Sequence, residues 1–245
     1  MNAITEKQRK TREKYSKENT NEKFLFWMFT FLIVSSFFAF KGSVTKATNS
    51  TADITAMIAP TQNNLSVIIP YSQKINGVNT VITQFAEYQI SGRVVESYDY
   101  TGSMAGVMKA ISGKEYYNDI SCADVAIAYG PMALTENHKR MDYRMSGSRK
   151  ILYAIKDPSL KQDVGDLEVI GRYITNNHLI ASNSEVEKLI KQIDNGDFVQ
   201  ISGYLVSISW EKGIYHYDLT SSLSRDDVGN GACEVILVEN VKWIK

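Results

Sequence analysis

The densest group of chemically capable side chains lies in residues 220–234, TSSLSRDDVGNGACE. Ser221, Ser222 and Ser224 offer hydroxyls, Arg225 a planar cation, and Asp226, Asp227 and Glu234 carboxylates. Gly229 and Gly231 let the backbone approach a partner closely. Two readings follow. Arg225 beside carboxylates can lock the loop through bidentate pairs, or the group can line a recess for a small polar ligand or a peptide end. His178, in TNNHLIAS, adds an imidazole, so a Ser–His–Asp arrangement can be written from Ser221 or Ser222, His178 and Asp227. No G-x-S-x-G elbow accompanies it, and a histidine beside two asparagines also suits a hydrogen-bonded structural role. The candidate binding residues are therefore His178, Ser221, Ser222, Arg225, Asp227, Gly229 and Glu234, with no residue assigned as catalytic. DDVGNG lacks the alternating oxygen ligands of a calcium loop. The other two histidines, His138 and His216, are far from His178 in sequence. No metal and no cofactor are expected, and no Rossmann fingerprint, P-loop or H-E-x-x-H is present.

These groups need a scaffold, and the chain around them reads as mainly β. Strands are predicted over residues 65–69, 80–85, 87–98, 124–129, 150–155, 198–210 and 233–244, and 166–175 reads as a strand or a short docking segment. One helix stands out. Val186, Leu189, Ile190 and Ile193 fall on one face, Ser184 is the expected N-cap, and Asn195-Gly196 is the stop. The tripeptide Ile-Ser-Gly occurs at 90–92 and again at 201–203, once on each side of that helix. Glycine within a strand marks a bulge or a sharp bend. Strand, strand, strand, helix, strand, strand is the order of the OB-fold, whose first and fourth strands are neighbours. An OB-like barrel with one main helix is the expected architecture, with another α+β arrangement as the alternative. Cys122 and Cys233 both stand at strand starts that this topology does not pair, which predicts free, largely buried thiols.

The N-terminal part has a different character. Residues 24–40, FLFWMFTFLIVSSFFAF, carry no charge, no proline and no glycine. As a helix they rise roughly 25 Å, just enough to cross a hydrocarbon core. Residues 1–23 hold seven Lys and Arg against four Glu. Positive-inside then places this tail in the cytoplasm and the remainder across the membrane. The organisation expected is a basic tail (1–23), a transmembrane signal anchor (24–40), a polar linker (41–64) and an extracytoplasmic domain (65–245). A cleaved signal peptide is the alternative. Across the whole chain 27 basic residues balance 27 acidic ones. That balance speaks against nucleic acid as a partner, since phosphate contacts need a basic excess.

YGPM at 129–132, NNHLIAS at 176–182, GDFVQISGYLV at 196–206 and SSLSRDDVGNGACE at 221–234 resemble a family of uncharacterised bacterial proteins with an N-terminal membrane segment and one compact domain. The resemblance covers roughly residues 85–240. The chain departs from the family pattern at Leu219, Tyr129 and Ala181, where Trp, Trp and Pro usually stand. The resemblance implies a membrane-anchored bacterial domain and draws attention to the same site residues, without implying an activity. The expectation is a single-pass inner-membrane protein with a periplasmic binding or assembly module, its partner an envelope protein or a glycan. The alternative is an envelope hydrolase built on His178 and the 221–234 loop.

Overall fold

The computed structural model describes residues 58–100, 119–146, 149–225 and 232–244. The basic tail, the apolar segment 24–40 and most of the linker lie outside the described residues, as do Asp226, Asp227 and Gly229. Among the described residues no helix is long and apolar enough to cross a membrane.

The domain is mainly β. Its strands are β1 (Thr61–Asn64), β2 (Tyr71–Ile75), β3 (Val78–Asp99), β4 (Ala123–Ala128), β5 (Met141–Met145), β6 (Ile151–Ile155), β7 (Ile174–Ala181), β8 (Phe198–Lys212), β9 (Tyr215–Thr220) and β10 (Cys233–Trp243). Five of them close a ring in the order β3-β4-β7-β10-β8-β3, antiparallel except for the parallel step between β7 and β10. β3 is long enough to serve three neighbours along one edge. It pairs with β2 through Val78–Ile82, with β1 through Ala86–Gln89, and with β4 from Arg93 onward. Its other edge runs along β8, and β9 extends β8 beyond the ring.

The repeated Ile-Ser-Gly explains part of this closure. Ile90 of β3 sits directly opposite Ile201 of β8. A Cβ on Gly92 would fall 2.3 Å from the Ala128 carbonyl oxygen of β4, and one on Gly203 would fall 2.1 Å from that of Leu237 on β10. Each glycine thus lets a strand press against its neighbour on the far side from the other repeat. Two predicted strands, 80–85 and 87–98, are one. A register shift between Gln84 and Ala86 absorbs the interruption and keeps β3 continuous. Residues 65–69 are not a strand. Val67, Ile68 and Ile69 are exposed between β1 and β2, where Pro70 cannot donate to a ladder. β1 forms inside the stretch expected to be linker.

Alternate side chains of the ring strands fill its interior, among them Ile90, Val125, Ile127, Leu179, Ile201, Ile236 and Val238. The helices are short: α1 (Thr135–His138), α2 (Leu160–Asp163), α3 (Leu167–Gly171) and α4 (Ser184–Ile190). α4 buries Val186 and Ile190 against the interior cluster, with Ile193 just beyond it and Leu189 half-buried. Its cap is Asn183, one residue before the expected Ser184. Asn183 Oδ1 accepts from the Glu185 and Val186 amides at 3.0 and 3.1 Å. The segment 166–175 is not one strand, since Asp166 caps the short helix α3, which docks Ile170 in an apolar cluster, and β7 begins at Ile174. β5 and β6 make a separate hairpin over a second apolar cluster that includes Ala126, Ala128, Met132, Leu160 and Ile170.

Candidate functional site

Strand alternation sets the site. On β4, Val125 and Ile127 belong to the ring interior, so Asp124 faces outward. On β7, Leu179 faces in and His178 out, and on β10, Ile236 faces in and Cys233 out. Register then brings these outward residues together. Asp124 stands opposite His178, and Cys233 opposite Asn176.

Asp124 is fully buried and lies at the centre of a polar network. Arg149 grips it at both oxygens, Nε to Oδ2 at 2.9 Å and Nη2 to Oδ1 at 2.7 Å. The Tyr100 hydroxyl donates to Oδ2 at 2.5 Å, and His178 Nδ1 lies 2.7 Å from Oδ1. Arg149 also donates to Ser121 Oγ at 2.8 Å and stacks over the Tyr100 ring. Its backbone is left-handed, with φ at 63°, a conformation that disfavours a residue with a side chain. Asn176 Nδ2 holds the Arg149 carbonyl at 2.9 Å, which helps fix that conformation.

Charge follows from this geometry. Burial alone would raise the Asp124 pKa, but hydrogen bonds from Arg149 and His178 hold it below the ordinary carboxylate value. Burial alone would lower His178, but its bonds with Asp124 and Cys233 lift it to about 9. Burial opposes ionisation of Cys233, yet hydrogen bonds with His178 and Asn176 bring its thiol below the ordinary value. Asn176 Nδ2 is 3.3 Å from Cys233 Sγ. The other thiol, Cys122, is pushed up to about 11 by burial. Both cysteines are free, Cys122 buried and Cys233 half-buried.

The residues expected from the polar loop fall on the other side of β10. Ser221 is buried. Its Oγ accepts from the Val235 amide at 3.1 Å and donates to the Ser222 carbonyl at 2.9 Å. The Ser222 amide donates to the Cys233 carbonyl at 3.0 Å. These bonds pin the loop to β10. Arg225 Nη1 meets Glu234 Oε1 at 2.6 Å, its Nη2 donates to the Ser222 carbonyl at 3.0 Å, and its guanidinium lies over the Tyr88 ring. The carboxylate partner of His178 is Asp124, a residue outside the set expected from sequence. Between the two networks opens a recess of about 240 Å³, lined in part by Tyr129, Tyr153, Arg172, Asn176, Arg225 and Cys233.

No family model, no curated protein and no solved structure matches the chain. Of the groups that sequence reasoning missed, Asp124 carried a usable signal. It is a carboxylate opening an otherwise apolar strand, and such a group must find partners when buried. Arg149, in the polar stretch GSRK, carried none. Among the described residues no group of His, Cys, Asp and Glu could hold a metal ion.

Proposed function

We propose that the chain is a membrane-anchored, extracytoplasmic binding module of the bacterial envelope, built on an OB-like barrel. The OB-like reading is supported by the ring order β3-β4-β7-β10-β8-β3, its parallel step between β7 and β10, and the place of α4 between the third and fourth ring strands. The anchor reading rests on the uncharged segment 24–40 and the basic residues before it. One observation carries the binding reading. An open recess stands above polar residues that are already bonded to one another, and two tyrosines and Arg172 line it. Tyrosine faces beside a cation suit a sugar ring or a peptide segment bearing an anionic group. The partner proposed is an envelope glycan or protein, not nucleic acid.

The test uses the full chain in its native membrane, with a photocrosslinking residue in place of Tyr153. A discrete adduct is expected, weakened by Arg172→Ala and absent when the crosslinker replaces the exposed Ile214 of the distal hairpin. Equal labelling from both positions would overturn the reading. For topology, a reporter active only outside the cytoplasm, fused after Lys245, should be active. Activity from a cytoplasmic reporter alone would reverse the orientation. A hydrolase is the second reading, built on His178 and the 221–234 loop and favoured by the bond between His178 and a buried carboxylate.

A further inference from the structure

The recess has a nucleophilic atom on its wall. Cys233 is half-buried and lines it, and Asn176 Nδ2 lies 3.3 Å from the sulfur. The His178 imidazole is held at Nδ1 by Asp124 at 2.7 Å, and Cys233 shares its outward face on the adjacent parallel strand, two residues before Val235, which stands opposite His178. Asp124 is in turn fixed by both ends of the Arg149 fork. A thiol, an imidazole and an orienting carboxylate in sequence are the parts of an activated nucleophile. A second observation marks the site as built for a ligand. Asn176 is 5% exposed, lines the recess, and its Oδ1 makes no hydrogen bond. A buried amide oxygen without a partner is costly unless something else fills that role.

We propose that Cys233 is the nucleophile of an acyl-transfer site, with His178 as its proton carrier and Asp124 as the residue that positions the imidazole. The inference deepens the hydrolase reading and assigns its nucleophile to a thiol in place of a loop serine. The substrate class is an acyl compound with a good leaving group, an ester or a thioester. In the reactive form of the pair the proton sits on His178 and the sulfur is a thiolate. The sulfur electron pair forms a bond to the carbonyl carbon, the bond from that carbon to the leaving group breaks, and the His178 proton goes to the leaving atom. The product is a thioester on Cys233. Water then adds to the thioester carbonyl and gives its proton to His178. The carbon–sulfur bond breaks, and the thiolate–imidazolium pair is restored.

The charge balance agrees. Burial notwithstanding, His178 is lifted to about 9 and the Cys233 thiol is lowered. The other titratable groups around this pair are Asp124 of β4, Arg149 ahead of β6 and Tyr100 after β3, while Glu234 of β10 acts on Cys233 by charge from the other face. Cys122, raised to about 11, supplies an internal reference within the same chain.

The experiment is iodoacetamide alkylation of the full chain in detergent across pH, with the modified cysteine located by mass spectrometry. An ordinary thiol gains roughly tenfold in rate per pH unit up to about 8.5. Cys233 is expected to reach its plateau at a lower pH than an ordinary thiol, with Cys122 far slower. p-Nitrophenyl acetate should release nitrophenolate and leave an acetyl group on Cys233. The reaction should vanish in Cys233→Ser and slow by about tenfold or more in His178→Gln. An ordinary thiol profile at Cys233, or acetyl found elsewhere, would overturn the proposal. If His178→Gln does not fold, the wild-type pH profile decides alone. A Tyr153 crosslink together with an ordinary profile would keep the binding reading and remove the nucleophile. A low-pH plateau without a crosslink would do the reverse.

Discussion

Two arginine–carboxylate pairs stand on opposite faces of the ring wall, Arg225–Glu234 at β10 and Arg149–Asp124 at β4, and they are assembled from very different distances along the chain. Arg225 and Glu234 are nine residues apart, and the loop between them folds back on its own strand. Asp124 and Arg149 are 25 residues apart, and His178 lies 54 from Asp124. The local pair leaves its arginine 25% exposed, whereas in the distant pair the arginine is 9% exposed and the carboxylate not at all. A buried pair gains little over an apolar substitute, but breaking it strands a charge. The local pair therefore acts as a clasp at the rim of the ring. The distant pair ties three separate segments to one carboxylate, and its loss should be felt across the domain.

The widest separation between the two should come from removing one carboxylate at a time. Asp124→Ala leaves Arg149 buried without its partner and should cost about 3–5 kcal/mol in denaturant unfolding. Glu234→Ala leaves Arg225 able to turn toward solvent, and its loss should be clearly smaller. Equal losses would mean that the two pairs do the same structural work.

That contrast also explains what could be read beforehand. The clamp of Arg225 was visible because its partner lies in the same polar stretch, and the ladder of long strands was visible because Ile-Ser-Gly repeats on both. β7 was not, because Thr175, Asn176, Asn177 and His178 look like a loop when polarity is taken as exposure. Three of those four are buried. Asn177 Nδ2 donates to the Val125 carbonyl at 2.9 Å, and the other two face the Asp124 network. Polar residues on a strand are invisible to a hydrophobic pattern when their partners come from elsewhere in the chain. For the same reason the sequence points to Asp227 of the loop as the carboxylate for His178, whereas the partner is Asp124 on the neighbouring strand.

pH should separate the pairs next. His178 is raised from 6.5 to about 9, mainly by Asp124 against the effect of burial. A raised value contributes stability that is whole below about 6.5 and is lost as pH climbs through the folded value. The lowered Cys233 thiol works in the opposite sense over the alkaline range, so the scan is best run on Cys233→Ser. Its stability advantage over the Cys233→Ser, His178→Gln double variant should shrink as pH rises above about 6.5. On the acid side, Asp124 is depressed, so its contribution is present above about pH 4 and lost as pH falls through the folded value. The alkaline limb should persist unchanged in Arg225→Ala, since the clamp faces away from His178. A limb that moved with Arg225 would show that the two networks are one.

Arg225→Lys is the smallest change and tests what the clamp is. Arg225 uses two nitrogens at once, one to Glu234 and Tyr88 and one to the Ser222 carbonyl. A lysine ammonium can keep the charge near Glu234 but lacks the planar fork that reaches both directions. Loss of the Ser222 bond should cost about 1 kcal/mol, while Arg225→Ala, which leaves the 4%-exposed Glu234 without its cation, should cost about 1.5–3 kcal/mol. The loop should also loosen at Ser222, whose amide holds the Cys233 carbonyl, and hydrogen exchange there should rise. If Lys preserves both stability and exchange protection, charge alone suffices and the fork is not needed for folding. Weakened crosslinking from Tyr153 in that same variant would then assign Arg225 to the ligand in the recess, and the contrast between clasp and network would become one between binding and scaffold.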